Sequence, residues 1–586
     1  MGLPKALAAH KTNNLVEAEK EYERAFLQNV KNPVLYQNYG ALLVKLAKPE
    51  KAEQVYQRGL KHFPRHHQIL RNYANFLRRR RPSASIHFYV ECIRELCADE
   101  KAFSLKIYRT LIADLTDVLY SIEMYHWAYS ILRDVIRSCG VTAQLLKNLV
   151  IVSERLGGLL PERSFQLTSN LLVDVVNDEC TAVDQIALYF SFAAHYHYIY
   201  DNKLALSHYD KGMQIFRGAL GSLDDEQRGR ARTLVTEHSW NFACIKLQMG
   251  QFEGWRLFDH GLRAPALGAQ RWQRALTKPF TDAEVPIWRG QSLKGQRLLL
   301  LEEQAVGDAM MFLTLIPDLL DSVQSLTVFL SKRLVPIYTR TFQDLIAAGK
   351  ISVCSKADVA TRKITPADFD FQSPLGSILQ YRYTDFKELP RQPLQLIPSG
   401  DKAKQLRDKY INSSSSMSNS PLLVGISWRG GGRSDRIKQK SLEPQDFYSI
   451  LKQTPNAVFV SLQYGDHISQ CEEWKKLGIN IVWDPAINPL KDMDSWLAQV
   501  SACDAVLSVA NTTIHGAGGL SKPTMCLLSN KSDWRWFDDR SVQRSYWYPS
   551  VGIARQGLDE SWSDAITATA HWINNGCKVP AGPRFM

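Results

Sequence analysis

The segment 508–523, SVANTTIHGAGGLSKP, combines residue types that bind anions. It follows the apolar run 505–509, which predicts a β-strand, and a helix is expected to begin near Thr513. A helix that starts directly after a strand directs backbone N–H groups and partial positive charge away from the sheet. Thr512 and Thr513 add hydroxyl donors. The segment therefore predicts a phosphate or diphosphate site.

Three further clusters of glycine and polar residues also follow apolar runs: EEQAVGD (302–308), RGGGRSDRIKQKSL (429–442) and QYGD (463–466). In open α/β sheets, ligands bind at the carboxyl ends of the strands, where these clusters fall. Arg429 and Lys440 add full positive charge to the predicted anion site. No cluster continues as Gly-Lys-Ser/Thr, which disfavours a Walker A ATPase.

The C-terminal half alternates apolar runs with helical patterns, which predicts parallel sheets covered on both faces. The predicted strands are RLLLLEE, LTVFLS, ISVCS and FDFQS, followed by LLVGISW, AVFVSLQ, INIVW, AVLSV and TMCLLS. The serine-rich segment INSSSSMSNSP (411–421) separates the two sets as a linker. We predict two Rossmann-like domains, at 290–411 and 421–577, with a ligand cleft between them. Three glycines are expected to let the helix after AVLSV pack closely on the sheet: Gly516, Gly518 and Gly519.

The N-terminal part, residues 1–265, carries an internal repeat. Small and aromatic residues recur at the same spacing: Ala18, Tyr22 and Ala25 match Ala52, Tyr56 and Gly59, and Tyr36, Tyr39, Gly40 and Leu43 match Leu70, Tyr73, Ala74 and Leu77. This period of 34 residues is typical of tetratricopeptide repeats, in which small residues lie where two helices cross. A stacked α-helical solenoid is predicted, and its groove favours a macromolecular partner.

The chain has 586 residues and a net charge of +12. Arg78 to Arg81 form the sharpest basic cluster, interpreted either as a solvated helix end or as a docking site for an acidic protein or an anionic membrane. No aromatic-and-basic nucleic-acid motif accompanies it, so no nucleic-acid partner is expected. The ten cysteines are scattered, which predicts reduced thiols and a cytoplasmic location. No signal peptide or membrane-spanning run is predicted.

The stretches LLLLEEQAVGDAMMFLTLIP, VGISWRGGGRSDRIKQKSL, FVSLQYGD, AVLSVANTTIHGAGGLSKP and DWRWF…YWYPS resemble bacterial glycosyltransferases that contain tetratricopeptide repeats. The catalytic half is similar to the heptosyltransferases of glycosyltransferase family 9, and the layout is similar to that of O-GlcNAc transferases. The resemblance implies a solenoid followed by a GT-B fold. It also implies sugar transfer from a nucleotide-diphosphate sugar to a hydroxyl or amide of a protein or protein-borne glycan.

The resemblance also implies roles for particular residues. Gly307 and Asp308 match the Gly-Asp pair that supplies the catalytic base, and Asp308 would take the proton of the acceptor hydroxyl. The alternative is that Asp308 caps a helix that starts at Ala309. Lys440 or Arg429 would hold the diphosphate of the donor, and fixed charge there would stabilise the leaving group.

His515 lies on the first turn of the helix after AVLSV. It is expected either to donate to the diphosphate or to pack against the sheet. The first domain would hold the acceptor, and the second, with Thr512 and Thr513, would hold the donor.

Four further residues are candidates for contacts with the nucleotide or sugar. Asp494 would bond a ribose hydroxyl or cap a helix, and Gln463 would contact the edge of the base. Asn511 precedes the two threonines of the anion site. Trp534, with Trp536, would stack on rings in the cleft or simply pack.

Metal and cofactor are not expected. The motifs Asp368-Phe369-Asp370, placed in a strand, and Asp492-Met493-Asp494, at a helix start, are interpreted as structural. The donor is a substrate, and transfer is predicted to be metal-independent and inverting. Two alternatives stay open: the same chemistry on a surface polysaccharide or lipopolysaccharide, and a non-catalytic scaffold with a degenerate nucleotide site.

Overall fold

The computed structural model describes residues 2–156, 180–262, 278–390, 393–414, 421–431, 437 and 440–585. They form two compact units, Met1–Leu234 and Val235–Met586. Residues 432–436 and 438–439 of the predicted glycine loop and residues 415–420 of the serine-rich linker lie outside the described residues.

The first unit is built from helices. They are α1 (Gly2–Lys11), α2 (Leu15–Leu27), α3 (Pro33–Lys45), α4 (Pro49–His62), α5 (His67–Leu77), α6 (Pro82–Ala98), α7 (Leu105–Ser121), α8 (Tyr125–Cys139), α9 (Ala143–Arg155), α10 (Ala182–Tyr198), α11 (Asn202–Ala219) and α12 (Asp225–Gln248), which crosses into the second unit. Consecutive helices pack in pairs, α1 on α2, α3 on α4, α5 on α6 and α7 on α8. The predicted helical array is confirmed.

The repeated small residues lie where the predicted crossings occur. A Cβ at Gly59 in α4 would stand 2.7 Å from Tyr36 Cβ, and one at Gly40 in α3 would overlap the Tyr56 ring. Tyr36 and Tyr56 are fully buried. The period of the sequence thus reflects mutual packing: each glycine leaves room for a ring from the paired helix.

The second unit begins with the end of α12, the short helix α13 (Gly254–Phe258) and a 3₁₀ turn over Asp259–Leu262. The sequence groups this segment with the repeats, but it packs with the α/β part. Trp255 and Phe258 contact the ring of Trp534 at 5.7 and 5.2 Å between centroids.

The first sheet has four parallel strands in the order β3-β2-β1-β4. They are β1 (Arg297–Leu301), β2 (Ser325–Phe329), β3 (Ile351–Cys354) and β4 (Phe371–Pro374). Leu298 to Leu301 are fully buried, as a strand covered on both faces requires.

The second sheet has six parallel strands in the order β10-β9-β8-β5-β6-β7. They are β5 (Leu422–Ser427), β6 (Ala457–Ser461), β7 (Ile481–Val482), β8 (Ala505–Val509), β9 (Thr524–Leu528) and β10 (Val551–Arg555). This is the doubly wound order, with its switch point between β5 and β8. All nine predicted strands are confirmed, and β10 was not predicted.

The helices that cover the sheets are α14 (Val306–Phe312), α15 (Val335–Thr341), α16 (Gln343–Ala347), α17 (Lys356–Ala360), α18 (Ile378–Arg382), α19 (Gly400–Ser413), α20 (Pro444–Lys452), α21 (Ile468–Lys476), α22 (Met493–Ala502), α23 (Thr512–Gly519) and α24 (Ser563–Asn574).

Two segments differ from the sequence prediction. The helix expected from Ala309 begins at Val306 and continues after Phe312 as a 3₁₀ helix over Leu313–Ser322, which contains Pro317. Proline has no N–H to donate, so an α-helical bond is missing there. The expected linker begins later than position 411, because α19 extends to Ser413 and packs on α22.

No helix among the described residues is long and apolar enough to span a membrane.

Candidate active site

The first turns of α14 and α23 face each other within the second unit. Gly307 is the contact point: a Cβ there would stand 2.9 Å from His515 Cδ2 and 3.4 Å from Thr512 Oγ1. Gly307 therefore allows the helix after β1 to approach the helix after β8. The structure brings these two predicted segments together, although about two hundred residues separate them in the sequence.

Asp308 is the third residue of α14 and only 5% exposed. Its Oδ2 accepts the backbone N–H of Ala305 at 3.2 Å. Its Oδ1 accepts Nε of Arg535 at 2.6 Å, and Arg535 Nη2 approaches the same oxygen. The predicted alternative is wrong in position, because the helix begins at Val306 and Asp308 is its third residue and not its N-cap. Its capping character is confirmed, since the carboxylate accepts the N–H of the N-cap residue Ala305.

Arg535 continues the contact into a chain of four charged groups. Its Nη1 donates to Asp533 Oδ2 at 3.1 Å, and Lys440 Nζ donates to the same oxygen at 2.6 Å. Burial by itself raises the pKa of Asp533, but the charges of Lys440 and Arg535 outweigh it and hold that pKa far below its usual value. We call Asp308, Arg535, Asp533 and Lys440 the charge chain.

Gln304, next to the charge chain, has an unusual backbone and side chain. Its φ is +60°, which non-glycine residues rarely adopt. Its Oε1 accepts Arg535 Nη2 at 3.4 Å, while its Nε2 is buried without a hydrogen-bond partner among the described residues. Strain and an unused donor beside a buried carboxylate are features of ligand sites.

Asn511 is the N-cap of α23. Its Oδ1 accepts Thr513 N–H at 2.9 Å, and its Nδ2 donates to Ser427 Oγ at 2.8 Å and to the carbonyl of Arg429 at 3.2 Å. Its side chain therefore joins the ends of β5 and β8. The backbone N–H of Thr513 is consumed by this cap, whereas Thr512 is partly exposed at the front of the helix.

His515 is 8% exposed, and its Nδ1 lies 3.2 Å from the hydroxyl of Tyr548. Burial lowers the pKa of His515 to about 4, so the imidazole is neutral at pH 7. It faces Gly307 across the junction of the two helices. The geometry therefore agrees with the packing alternative and leaves a neutral donor to the diphosphate as a prediction.

Gln463 is buried directly beyond β6, and its side chain holds the turn after β5. Its Oε1 accepts three donors, the backbone N–H groups of Trp428 and Arg429 at 3.0 and 2.9 Å and the hydroxyl of Ser427 at 3.1 Å. Its Nε2 donates to the carbonyls of Arg429 and Tyr464. The side chain is saturated, so the geometry gives no support to its contact with a base.

Arg429 lies at the entry to the glycine loop and is partly exposed. Its Nη2 donates to the carbonyl of Asp466 at 2.9 Å. This contact places the guanidinium of Arg429 beside the loop after β6. Of the two cations predicted to hold the diphosphate, Lys440 is the one that belongs to the charge chain.

Asp494 pairs with Arg340 of α15, whose Nη1 donates to its Oδ2 at 3.3 Å. The predicted helix cap is a different residue, because Asp492 accepts Ser495 N–H at 3.0 Å. The capping alternative for Asp494 is therefore wrong. The ion pair ties α22 to α15, and it occupies the carboxylate proposed to bond a ribose.

Trp534 is buried, and its ring stacks at 6.2 Å on that of Phe312 while the Arg535 guanidinium lies 4.2 Å above it. Trp536 is also buried. Both side chains follow the packing alternative. Trp534 nevertheless supports the site, because its face holds Arg535.

The predicted role of the glycines needs correction. Added Cβ atoms at Gly516 and Gly519 would stand 2.5 Å from Trp496 Cη2 and 2.6 Å from Leu396 Cδ1, and one at Gly518 would overlap the Tyr548 ring. These glycines make room for side chains of neighbouring segments, not for the sheet itself.

The two Asp-x-Asp motifs have structural partners. Asp368 closes a 3₁₀ turn with Thr365, and Asp370 pairs with Arg297 at 2.9 Å. The placement of this motif in a strand is wrong, since β4 begins at Phe371. No group of three or more metal-ligating side chains occurs among the described residues.

Sequence reasoning missed Asp533 and Arg535. Both lie in SDWRW, directly beyond β9, at the same edge as the predicted clusters. The signal was an acid and a base alternating with tryptophans at a strand end. Nothing in the sequence told which carboxylate the arginine would reach.

The described residues define a helical repeat protein with two doubly wound parallel sheets in its second unit. Residues 33–76 match the tetratricopeptide repeat family, which confirms the predicted repeat. Protein FlbA of Caulobacter vibrioides is 28% identical over 323 residues, which are 53% of this chain and 50% of FlbA. The chain thus spans about half the length of the curated relative it matches.

Similar solved structures include two glycosyltransferases of the kind that the sequence resembles. The ADP-heptose LPS heptosyltransferase II of E. coli is 13% identical, with 48% of this chain and 96% of that chain covered and a TM-score of 0.33. The glycosyl transferase family 9 protein of Veillonella parvula is 9% identical, with 46% and 88% covered and a TM-score of 0.33.

Proposed function

We propose that this protein is a glycosyltransferase that moves a sugar from a nucleotide-diphosphate sugar to a hydroxyl or amide of a protein or protein-borne glycan. The observation that carries the proposal is the charge chain. It connects the predicted base, Asp308, to the predicted phosphate ligand, Lys440, at the carboxyl ends of two parallel sheets. Parallel α/β sheets bind their ligands at this edge.

The proposed chemistry is a single displacement, written here for a hydroxyl acceptor. The acceptor oxygen forms a bond to the anomeric carbon, and the bond from that carbon to the phosphate oxygen breaks. The nucleoside diphosphate leaves with the electron pair, and the hydroxyl proton passes to Asp308. Lys440 and the N-terminal turn of α23 would stabilise the charge of the leaving group. No side chain forms a covalent intermediate, so the configuration inverts, and no metal is required in this scheme.

A thermal-shift screen against nucleotides and nucleotide sugars tests donor binding. A ligand at about 100 times its Kd adds roughly 2.7 kcal/mol to the free energy of unfolding. We expect a shift with one sugar nucleotide that Lys440→Ala abolishes. The absence of a shift with every member of the panel would refute donor binding.

We propose that the acceptor is a protein segment held by the first unit. A groove of about 800 Å³ there is lined by Val44 and Phe76, by Arg79 and Arg80, and by Asp114 and Asp117, which both pair with Arg78. Arg80 lies 4.9 Å above the Phe76 ring, and Val44 is 44% exposed. Cationic and apolar surface in one groove suits an acidic segment with apolar side chains. A surface polysaccharide remains the second acceptor class. We expect Arg79→Glu to raise KM for a protein acceptor and not for a free glycan.

One observation favours the scaffold alternative. Both oxygens of Asp308 are already engaged, by Arg535 and by the N–H of Ala305, whereas a base needs a free oxygen. A scaffold would bind nucleotide without turnover. Release of sugar or transfer to an acceptor, lost in Asp308→Asn, would reject it.

We also propose a cytoplasmic location. Most of the cysteines are buried among apolar side chains, as reduced thiols are in proteins of a reducing compartment.

A further inference from the structure

Arg535 is the only side chain in the charge chain that contacts both carboxylates. It donates to Asp308 through Nε and to Asp533 through Nη1. The four side chains are 6–25% exposed, with Asp308 the most buried and Lys440 the least. Its two cations and two anions balance, so the charge chain has no net charge in the absence of a ligand.

This arrangement blocks Asp308 as a base. Its Oδ1 is engaged by two nitrogens of Arg535 and its Oδ2 by the N–H of Ala305. A base at this position must lose at least the arginine before it can accept a proton.

Lys440, at the opposite end of the charge chain from Asp308, is positioned to respond to ligand binding. Lys440 donates to Asp533 Oδ2, which also accepts Arg535, so one oxygen serves two cations. An incoming diphosphate carries more charge than Asp533 and would draw Lys440 away. Asp533 would then hold Arg535 alone, and in a buried place an anion that loses one cation strengthens its contact with the other.

We propose that Arg535 masks Asp308 until a donor diphosphate takes Lys440 from Asp533, whereupon Arg535 moves to Asp533 and frees the base. Arg535 and Asp533 are positioning residues that link donor binding to base release. The inference rests on the proposed function, since it assumes that the ligand of Lys440 is a diphosphate. It accounts for a base that is occupied in the ligand-free protein.

The test is a double-mutant cycle on ligand binding, independent of turnover. The probes are inorganic pyrophosphate and the nucleoside diphosphates ADP, GDP, UDP and CDP, titrated into the full chain by calorimetry. In the wild type, binding must break the contact of Arg535 with Asp308. Asp308→Asn removes that cost, and we expect it to lower the Kd of the tightest-binding probe by about fivefold or more. A change of this size lies within the coupling energies measured between groups of one ion-pair network.

Removing Asp533 or Arg535 from the charge chain should abolish this gain in affinity. In the background of Asp533→Asn, and separately of Arg535→Gln, Asp308→Asn should change Kd by less than about twofold. Arg535→Gln serves if Asp533→Asn fails to fold, as judged by circular dichroism.

The outcomes separate the two proposals. Equal tightening in all backgrounds would show a through-space effect of the Asp308 charge and overturn the mask, as would no tightening in the wild type. Absence of binding of every probe to the wild type would overturn the proposed function as well.

Discussion

Arg535 holds Asp308 at 2.6 Å through Nε, and it joins a residue beyond β9 of the second sheet to one beyond β1 of the first. The two residues are 227 positions apart in the sequence, and strands β2 to β9 and the linker lie between them. The same guanidinium lies 4.2 Å above the ring of Trp534, which packs against Trp255, Phe258 and Phe312. An aromatic cluster thus positions the cation that controls the predicted base.

Asp308→Asn should lower the rate of sugar transfer by a factor of about 10² to 10⁴, the usual contribution of a general base. Binding of the nucleoside diphosphate should not weaken, because Asp308 does not face Lys440 directly. Steady-state transfer assays and calorimetry on the same preparation separate the two effects. Asp321→Asn, on the 3₁₀ segment after α14, is the matched control and should retain full activity. Unchanged transfer by Asp308→Asn would exclude this residue as the base.

Gln463→Ala should weaken the binding of all nucleoside diphosphates by a similar factor. The change removes the acceptor of three donors in the turn after β5, and buried donors left unsatisfied cost about 1–3 kcal/mol. Comparison of Kd for ADP, GDP, UDP and CDP measures the effect. Gln445→Ala, exposed on α20, is the control. A loss confined to one nucleotide would instead support the original prediction that Gln463 contacts the base.

His515 should make the stability of the second unit depend on pH. Its pKa is about 4 in the folded protein and near 6.5 when unfolded, so the unfolded state binds more protons between these values. Stability is therefore complete above pH 6.5 and falls by up to about 3 kcal/mol as the pH drops to 4. Urea unfolding at a series of pH values should show a shallower fall for His515→Asn.

The exposed His571→Asn is the control for this series and should keep the slope of the wild type. If the free energy of unfolding of His515→Asn depended on pH as in the wild type, His515 would have the same pKa in the folded and unfolded states. That result would contradict the effect expected from its burial.

Gly59→Ala should lower the free energy of unfolding of the first unit by about 1–3 kcal/mol, the usual cost of overpacking. The new methyl carbon would stand 2.7 Å from Tyr36 Cβ, which lies close to its own backbone and cannot swing away. Hydrogen exchange of peptides from α3 and α4 measures the change. Gly218→Ala in α11 meets no atom within 4 Å and should be neutral or stabilising, because alanine favours helix. Equal protection in both variants would contradict the packing at Gly59.

The secondary-structure elements and their order could be predicted from the amino-acid sequence. The period of 34 residues predicted the helical pairs, and alternating apolar runs predicted nine strands, because burial of apolar side chains imposes these periods locally. The clusters at strand ends predicted the edge of the sheets at which Asp308, Lys440 and Thr512 lie. The division of the chain was less predictable, since the segment after residue 235 keeps a helical pattern but packs with the sheets.

The partners of the polar side chains could not be predicted and follow from the three-dimensional fold. Gln463, Asn511 and Asp494 were predicted for a ligand, but they bond to the protein itself. Arg535 was not predicted, yet it reaches Asp308. Side-chain partners come from segments far apart in sequence, and a buried polar group must find whichever partner the fold brings within hydrogen-bond distance. Residue type and spacing reveal where polar groups gather, whereas three-dimensional packing selects their partners.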